Sequence, residues 1–457
     1  MESKPLLGQF LWYLRTVRAI FNDIRSKKHV CEMGVASIVA ACPKTLTSLV
    51  EFNAIHGNPA LNHRNWSASY RLFSRCKWKI EELAWVLFDS ALAFVGGEPV
   101  MIAIDDTLLR KTGRRIKGCA YARDPLSPPF QANLVWGQRI LCVSVLIRAS
   151  AASAYRAVPI FFLSVPSVKI PGNASEEERK KLVEIQKKNK MSVVARELVE
   201  AIRKHLDKIG LKDKELVVCA DASFSNRAFL YDELSHTSMV GRCRNDLRLV
   251  RPLNEEEKVG KKLYGERLPT PDEMYKDASV AENQFECGVM HQHANITYKA
   301  MEDVRWPTAL KNQPCSIVAI RGQYYRKYGK RQHTHPAFLV MTGNVATLKE
   351  GGVALTVLLE AYLLRWEIEV GFRDQKNWLG VGKAQVWNSK SVEKTPAFMS
   401  ACYAMLLMAS MKVFDDMRTE DFAPLPKWRN VAPQRPSIRD LVRLLRKEVL
   451  ELGRIPA

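Results

Sequence analysis

Two short apolar runs, PVMIAID (99–105) and ELVVCAD (215–221), each pass directly into an aspartate. Runs this short, rich in β-branched residues and without alternation, read as strands buried on both faces, which occur where helices cover a sheet. An acid at the end of such a strand lies at the carboxyl edge of the sheet, where α/β proteins place ligands. The local alternative is that each Asp caps the turn that follows. With the further strand-like runs RILCVSVLIR (139–148), AVPIFFLSV (157–165) and PAFLVMTG (336–343), the pattern predicts an α/β chain, a mixed sheet with helices packed on it.

The rest of the chain divides around that sheet. Residues 1–95 carry helical apolar spacing, with Asn65 placed to cap a helix that begins at Trp66. Residues 96–240 hold the first part of the α/β core, including one long polar helix over 175–210. Residues 241–335 alternate polar turns with short strands and read as a β-rich insertion. Residues 336–415 return to the core, with a helix from about Val353 through Trp378 and an apolar helix over 397–411. A proline-rich linker and an amphipathic helix fill 416–457.

Charge narrows the partner. Lys and Arg number 69 against 48 Asp and Glu, a formal net charge of +21, which favours a polyanion and above all nucleic acid. Arg71, Arg75, Lys77 and Lys79 enrich the N-terminal helices, so 1–95 is expected to be a helical DNA-binding domain, the alternative being a plain helical cap. Ten cysteines occur singly with no Cys-x-x-Cys, as in a cytoplasmic chain with reduced thiols. The apolar run 397–411 is too short for a bilayer and reads as a core helix. Cys287, His291, His293, His333 and His335 match no standard structural zinc spacing.

The stretch AYLLRWEIEVGFRDQKNWLG (361–380) has the most specific pattern. At about 100° per residue, Tyr362, Arg365, Glu369, Arg373 and Lys376 share a stripe about 80° wide. Glu367 and Asp374 fall elsewhere on the surface, about 120–140° round. Leu363, Leu364, Ile368, Val370 and Phe372 occupy most of the remaining circumference. The helix is thus expected to be largely buried, with one charged seam holding a single carboxylate between cations at i±4. Such a seam is either a salt-bridge stripe or a carboxylate that binds a divalent cation beside groups that hold phosphates. Three carboxylates from distant segments suit Mg²⁺, which takes oxygen ligands from a few carboxylates and substrate phosphate. Two such ions about 4 Å apart activate the attacking oxygen and stabilise the leaving one in phosphodiester cleavage. The cluster Arg110, Lys111, Arg114 and Arg115 directly follows the first acid. It is either a solvated loop or a grip on the phosphate backbone.

Tyr362, Arg365, Glu369 and Lys376 stand in the order Y-x2-R-x3-E-x6-K. This resembles the signature of the Tyr-Arg-Glu-Lys group of DDE transposases of bacterial insertion sequences. Asp105-Asp106-Thr107 is similar to the family's first acid in Asp-x-Thr, which favours Asp105 over Asp106. Asp221 matches the second acid. FSRCKWKIEEL (73–83), NLVWGQR (133–139) and GRCRND (241–246) also look like this family. The resemblance implies a ribonuclease-H-like catalytic core, interrupted by the β-rich insertion between Asp221 and Glu369. It implies cleavage at transposon ends by water, then attack of the freed 3′-OH on target DNA. Two Mg²⁺ ions, replaceable by Mn²⁺, would be held by Asp105, Asp221 and Glu369, and ATP is not needed. Tyr362, Arg365 and Lys376 would contact phosphates near the cleaved end, and Trp306 would either stack on a base or belong to the core of the insertion. The implied partners are double-stranded DNA (terminal inverted repeats and target) and a second copy in a synaptic homodimer, at the nucleoid in the cytoplasm. Two other readings keep the fold: a catalytically silent DNA-binding relative, and a ribonuclease-H-like nuclease without strand transfer.

Overall fold

The computed structural model describes residues 5–40, 44–57, 66–124, 127–128, 130–131, 133–257, 263–289, 292–327, 330–429, 433–453 and 455. Asn65 and His291 lie outside the described residues. The chain begins with α1 (Pro5–Val17), α2 (Ile24–Val39), α3 (Leu46–His56), α4 (Trp66–Ser74) and α5 (Ile80–Leu92). Strands β1 (Val100–Arg110), β2 (Cys119–Arg123), β3 (Leu134–Ile147) and β4 (Arg156–Ser164) follow, then α6 (Glu176–Lys188) and α7 (Met191–Lys208). Next come β5 (Leu216–Ala220), α8 (Arg227–Leu230), β6 (Thr237–Arg242), β7 (Leu249–Val250), β8 (Arg267–Leu268) and α9 (Pro271–Lys276). After β9 (Asn283–Val289), β10 (Gln292–Arg305) and α10 (Pro307–Leu310) stand β11 (Pro314–Ile320), β12 (Tyr324–Lys327), β13 (Lys330–His333) and β14 (Ala337–Gly343). The chain closes with α11 (Leu355–Leu364), α12 (Trp366–Asn377), α13 (Ser389–Phe414) and α14 (Ile438–Leu452).

The fold is mixed α/β, a mostly antiparallel sheet flanked by helices, as the strand pattern led one to expect. The chain forms two compact units. One comprises residues 1–96, 105–189 and 367–457, the other 97–104 and 190–366, so β1 is divided at Ile104/Asp105.

In the first unit β3 pairs with β4 and with β2, both antiparallel, and with β1. Its core helix is α13, buried along most of its length against β4, α1, α2, α4 and α5. By length and composition α13 could cross a membrane, yet most of it is covered by the protein itself. The Asn388 side chain caps its start, accepting from the Ser391 N–H at 3.2 Å. Helix α14 buries Ile438, Leu441, Leu445 and Val449 and packs on α1 and α2. Its Glu448 carboxylate accepts the Leu7 N–H at 2.6 Å, satisfying a donor in the first turn of α1 that has no partner within the helix.

In the second unit β1 runs parallel to β5, and β5 parallel to β6. Beyond β6 the order is β14, β11, β10, β7 and β8, all antiparallel, with β9 on the other side of β10. Helix α7 buries Ala195, Val199, Ile202 and Leu206.

Three element boundaries differ from the sequence reading. The helix expected over 175–210 is two, α6 and α7, separated at Asn189 and Lys190. Helix α6 buries no residue. The helix expected from Val353 to Trp378 is divided at Arg365 into α11 and α12. Strand β1 continues to Arg110 because it gains β3 as a partner after Asp105, shown by the Lys111 N–H donating to the Trp136 carbonyl at 3.0 Å.

Candidate active site

The parallel register of β1 and β5 runs from Val100↔Leu216 to Ile104↔Ala220. The next residue on each strand is an aspartate, Asp105 and Asp221. The residues before each are fully buried, and both aspartates are half-buried; after Asp105 the strand continues and buries Thr107 and Leu109.

Asp105 and Asp106 point to opposite faces of β1. On one face the Arg139 guanidinium, from β3, donates to both Asp106 oxygens at 2.8 and 3.1 Å. That fork-to-fork pair raises the Arg139 pKa, chiefly through the hydrogen bond to Asp106. Asp106 is therefore committed as a counter-ion between β1 and β3. On the other face the Asp105 Oδ1 accepts the Asp106 backbone N–H at 2.8 Å. Thr107 shares that face, and its hydroxyl accepts from the Lys376 ammonium at 2.6 Å.

This bond fixes which side of α12 meets β1. Lys376 and Glu369 lie on one stripe, seven residues or about 10.5 Å apart along the axis. The stripe carrying Glu369 is thus tied to the face of β1 carrying Asp105. Burial pulls the Lys376 pKa below its ordinary value, and nearby Arg110 adds to the effect. Glu367 points away and is paired with Arg435 at 3.0 Å, an arginine that also donates to the Tyr155 carbonyl. Asp374 is buried rather than on the surface, 3.5 Å from Arg373, and burial raises its pKa. Arg373 itself is mostly exposed.

In the second unit Asp221 is 41% exposed and is followed by a single 3-10 turn. The Arg365 guanidinium, nearly buried, approaches its Oδ1 at 4.0 Å. It also lies 5.8 Å from the centre of the Tyr362 ring. Burial raises the Tyr362 phenol pKa, with Arg365 pulling the other way. Tyr362, Arg365 and Asp221 thus form one cluster.

The basic cluster after β1 does not act as a set. Arg110 is exposed and pairs with Asp124 at 2.6 Å. Arg114 donates to the Tyr121 hydroxyl and lies over the Tyr121 and Trp136 rings, 5.1 and 5.5 Å from their centres. Arg115 is exposed. Lys111 is only 7% exposed, and its ammonium donates to the carbonyls of Gly382 and Ala384 at 2.8 and 2.9 Å. It joins two loops and does not present its charge to a ligand, contrary to the sequence reading. Burial brings its pKa down to about 8. Trp306 is 8% exposed, so its ring belongs to the core, the alternative to a platform for a base. Thr107, Arg139 and Arg435 were not recognised from sequence. Arg139 lay in a stretch already singled out, NLVWGQR, and Thr107 in the Asp-x-Thr of the first acid, though neither was given a role.

Three carboxylates are hard oxygen donors of the kind Mg²⁺ or Mn²⁺ takes. Among the described residues, however, no group of three or more His, Cys, Asp or Glu side chains is placed to hold a metal ion. The family model described as DDE superfamily endonuclease matches residues 55–312, more than half of the chain. That span includes Asp105 and Asp221 and ends before Glu369. No curated protein matches the chain.

Proposed function

Since the chain belongs to the DDE superfamily of endonucleases, whose members act on DNA and generally use divalent metals, we propose that it is a transposase. In this reading it cleaves DNA at transposon ends and joins the freed 3′-OH to target DNA. Asp105, Asp221 and Glu369 would hold two Mg²⁺ or Mn²⁺ ions. When bound, such ions activate the attacking oxygen and stabilise the leaving one.

The chain's own groups have separate tasks. Lys376, steered by Thr107, presents a partly desolvated ammonium beside the Glu369 stripe, where a phosphate oxygen is its natural partner. Arg365 offers a planar guanidinium next to Asp221, and Tyr362 holds it from the side. Arg110, Arg114, Arg115 and Arg373 add sequence-independent attraction for the backbone. The helical N-terminal segment adds a further basic surface.

The observation that carries the reading is the Lys376–Thr107 hydrogen bond. It unites the third acid's helix with the first acid's strand, as a shared site requires. The experiment is a nicking and strand-transfer assay on an end duplex with Mg²⁺. Glu369→Gln is expected to abolish both steps while end binding stays within about twofold, and Glu367→Gln is expected to keep both. Equal loss in the two variants would overturn the assignment of Glu369. Nicking without joining would reduce the activity to that of a nuclease.

A further inference from the structure

Trp387 is 61% exposed, in the connection between α12 and α13. That connection is firmly held. Lys111 binds the carbonyls of Gly382 and Ala384. The Gln385 Oε1 accepts both the Thr112 N–H, at 3.1 Å, and the Thr112 hydroxyl, at 3.3 Å. Asn388 caps α13. The indole is therefore displayed by a fixed loop, although burial of an indole is normally favourable.

The ring lines a cavity of about 450 Å³ with Tyr70, Ser74, Arg75, Gln385 and Asn388. Arg75 also lines a second cavity, of about 960 Å³, shared with Arg25, Lys28, Arg71 and Lys77. Among the described residues, the sole carboxylate lining that second cavity, Asp23, is already used as the cap of α2, accepting the Ser26 N–H at 2.9 Å. An aromatic face thus adjoins a basic track through one shared arginine. An indole face accepts any base, and cations alongside it follow the sugar–phosphate chain. A protein partner would be met by a more mixed charge, so the cations favour nucleic acid.

We propose that Trp387 is a stacking platform for an unpaired nucleobase, with Arg75 and the cations beyond it holding the adjoining phosphates. The site is separate from the three carboxylates and rests on the DNA-binding part of the function proposed above. Its ligand is single-stranded or locally unpaired DNA.

The test is fluorescence anisotropy of the full-length protein without divalent metal, using a short labelled oligothymidylate and the same backbone with abasic sites. Trp387→Ala is expected to weaken oligothymidylate binding about tenfold and to leave abasic binding unchanged. Trp387→Phe should keep most of the affinity. Arg75→Ala should weaken both ligands and lower the slope of log affinity against log salt by about one. Wild-type affinity in Trp387→Ala, or the same loss on the abasic strand, would overturn the site and return the exposed indole to a protein-binding role. Unchanged thermal melting of each variant removes misfolding as a cause. Failure of this site leaves cleavage by Glu369 untouched, and cleavage by Glu369→Gln would refute the catalytic reading with oligothymidylate binding intact.

Discussion

In sequence β1 and β5 each hold an apolar run that passes into Asp, but the surroundings of the two acids differ. At β1 the acid is doubled. Arg139 holds Asp106 with two hydrogen bonds, while Asp105 faces the side where Lys376 meets Thr107. At β5 the acid is single, more open, and has a guanidinium at 4.0 Å, beyond hydrogen-bonding distance. Where two carboxylates adjoin, Asp106 fastens the strands through Arg139. Where one stands alone, its cation stays near without a direct hydrogen bond to it.

The largest expected effect separates the neighbours at β1. Asp105→Asn should lower the cleavage rate more than about a thousandfold, since a metal-binding carboxylate contributes several kcal/mol to the barrier. Asp106→Asn should cost less than about tenfold in rate and about 1 kcal/mol in stability, because the pair with Arg139 is only part-buried. Rate measurements and urea melts on both variants test this, and the reverse ranking would make Asp106 the metal ligand.

A smaller effect is expected on α12. Glu367→Gln removes the charge that Arg435 faces in a largely buried pair, so stability should fall by about 2 kcal/mol. Glu369→Gln should fall by less. A urea titration showing the opposite order would mean that Glu369, not Glu367, fastens the helix.

The smallest concerns the cation buried behind β1. The folded pKa of Lys111, about 8, lies below its ordinary 10.5, so the unfolded chain binds more protons between these values. The penalty for burying the charged form is complete below about pH 8 and is relieved as pH rises towards 10.5. Between about pH 7 and 9 the wild type should gain about 1 kcal/mol relative to Lys111→Met. Parallel urea titrations at the two pH values test this, and a constant difference would mean that Lys111 keeps its normal proton affinity.

What could be read from sequence followed from local periodicity. The apolar runs before Asp105 and Asp221 announced buried strands, and the seam on α12 announced one carboxylate among cations. The placing of Glu367 off that seam followed from the same periodicity. What could not be read depended on partners distant in the chain. Arg139 decides the role of Asp106 from 33 residues away, and Arg435 that of Glu367 from 68. Lys111 resembles its basic neighbours until Gly382 and Ala384 fold over it. Trp306 and Trp387 are both tryptophans in polar surroundings, and only the packing distinguishes the buried one from the displayed one. The division at Arg365 was hidden because the helical phase continues nearly unbroken across it.

The unit that carries Asp105 and Glu369 is assembled from three stretches of chain, and the carboxylate at 448 closes the first turn of the helix that starts at Pro5. A ribosome must therefore have passed residue 448 before that unit can complete its core. A product that ends before α13 lacks the helix on which β4, α1, α2, α4 and α5 pack, so this unit can be assembled only late in synthesis.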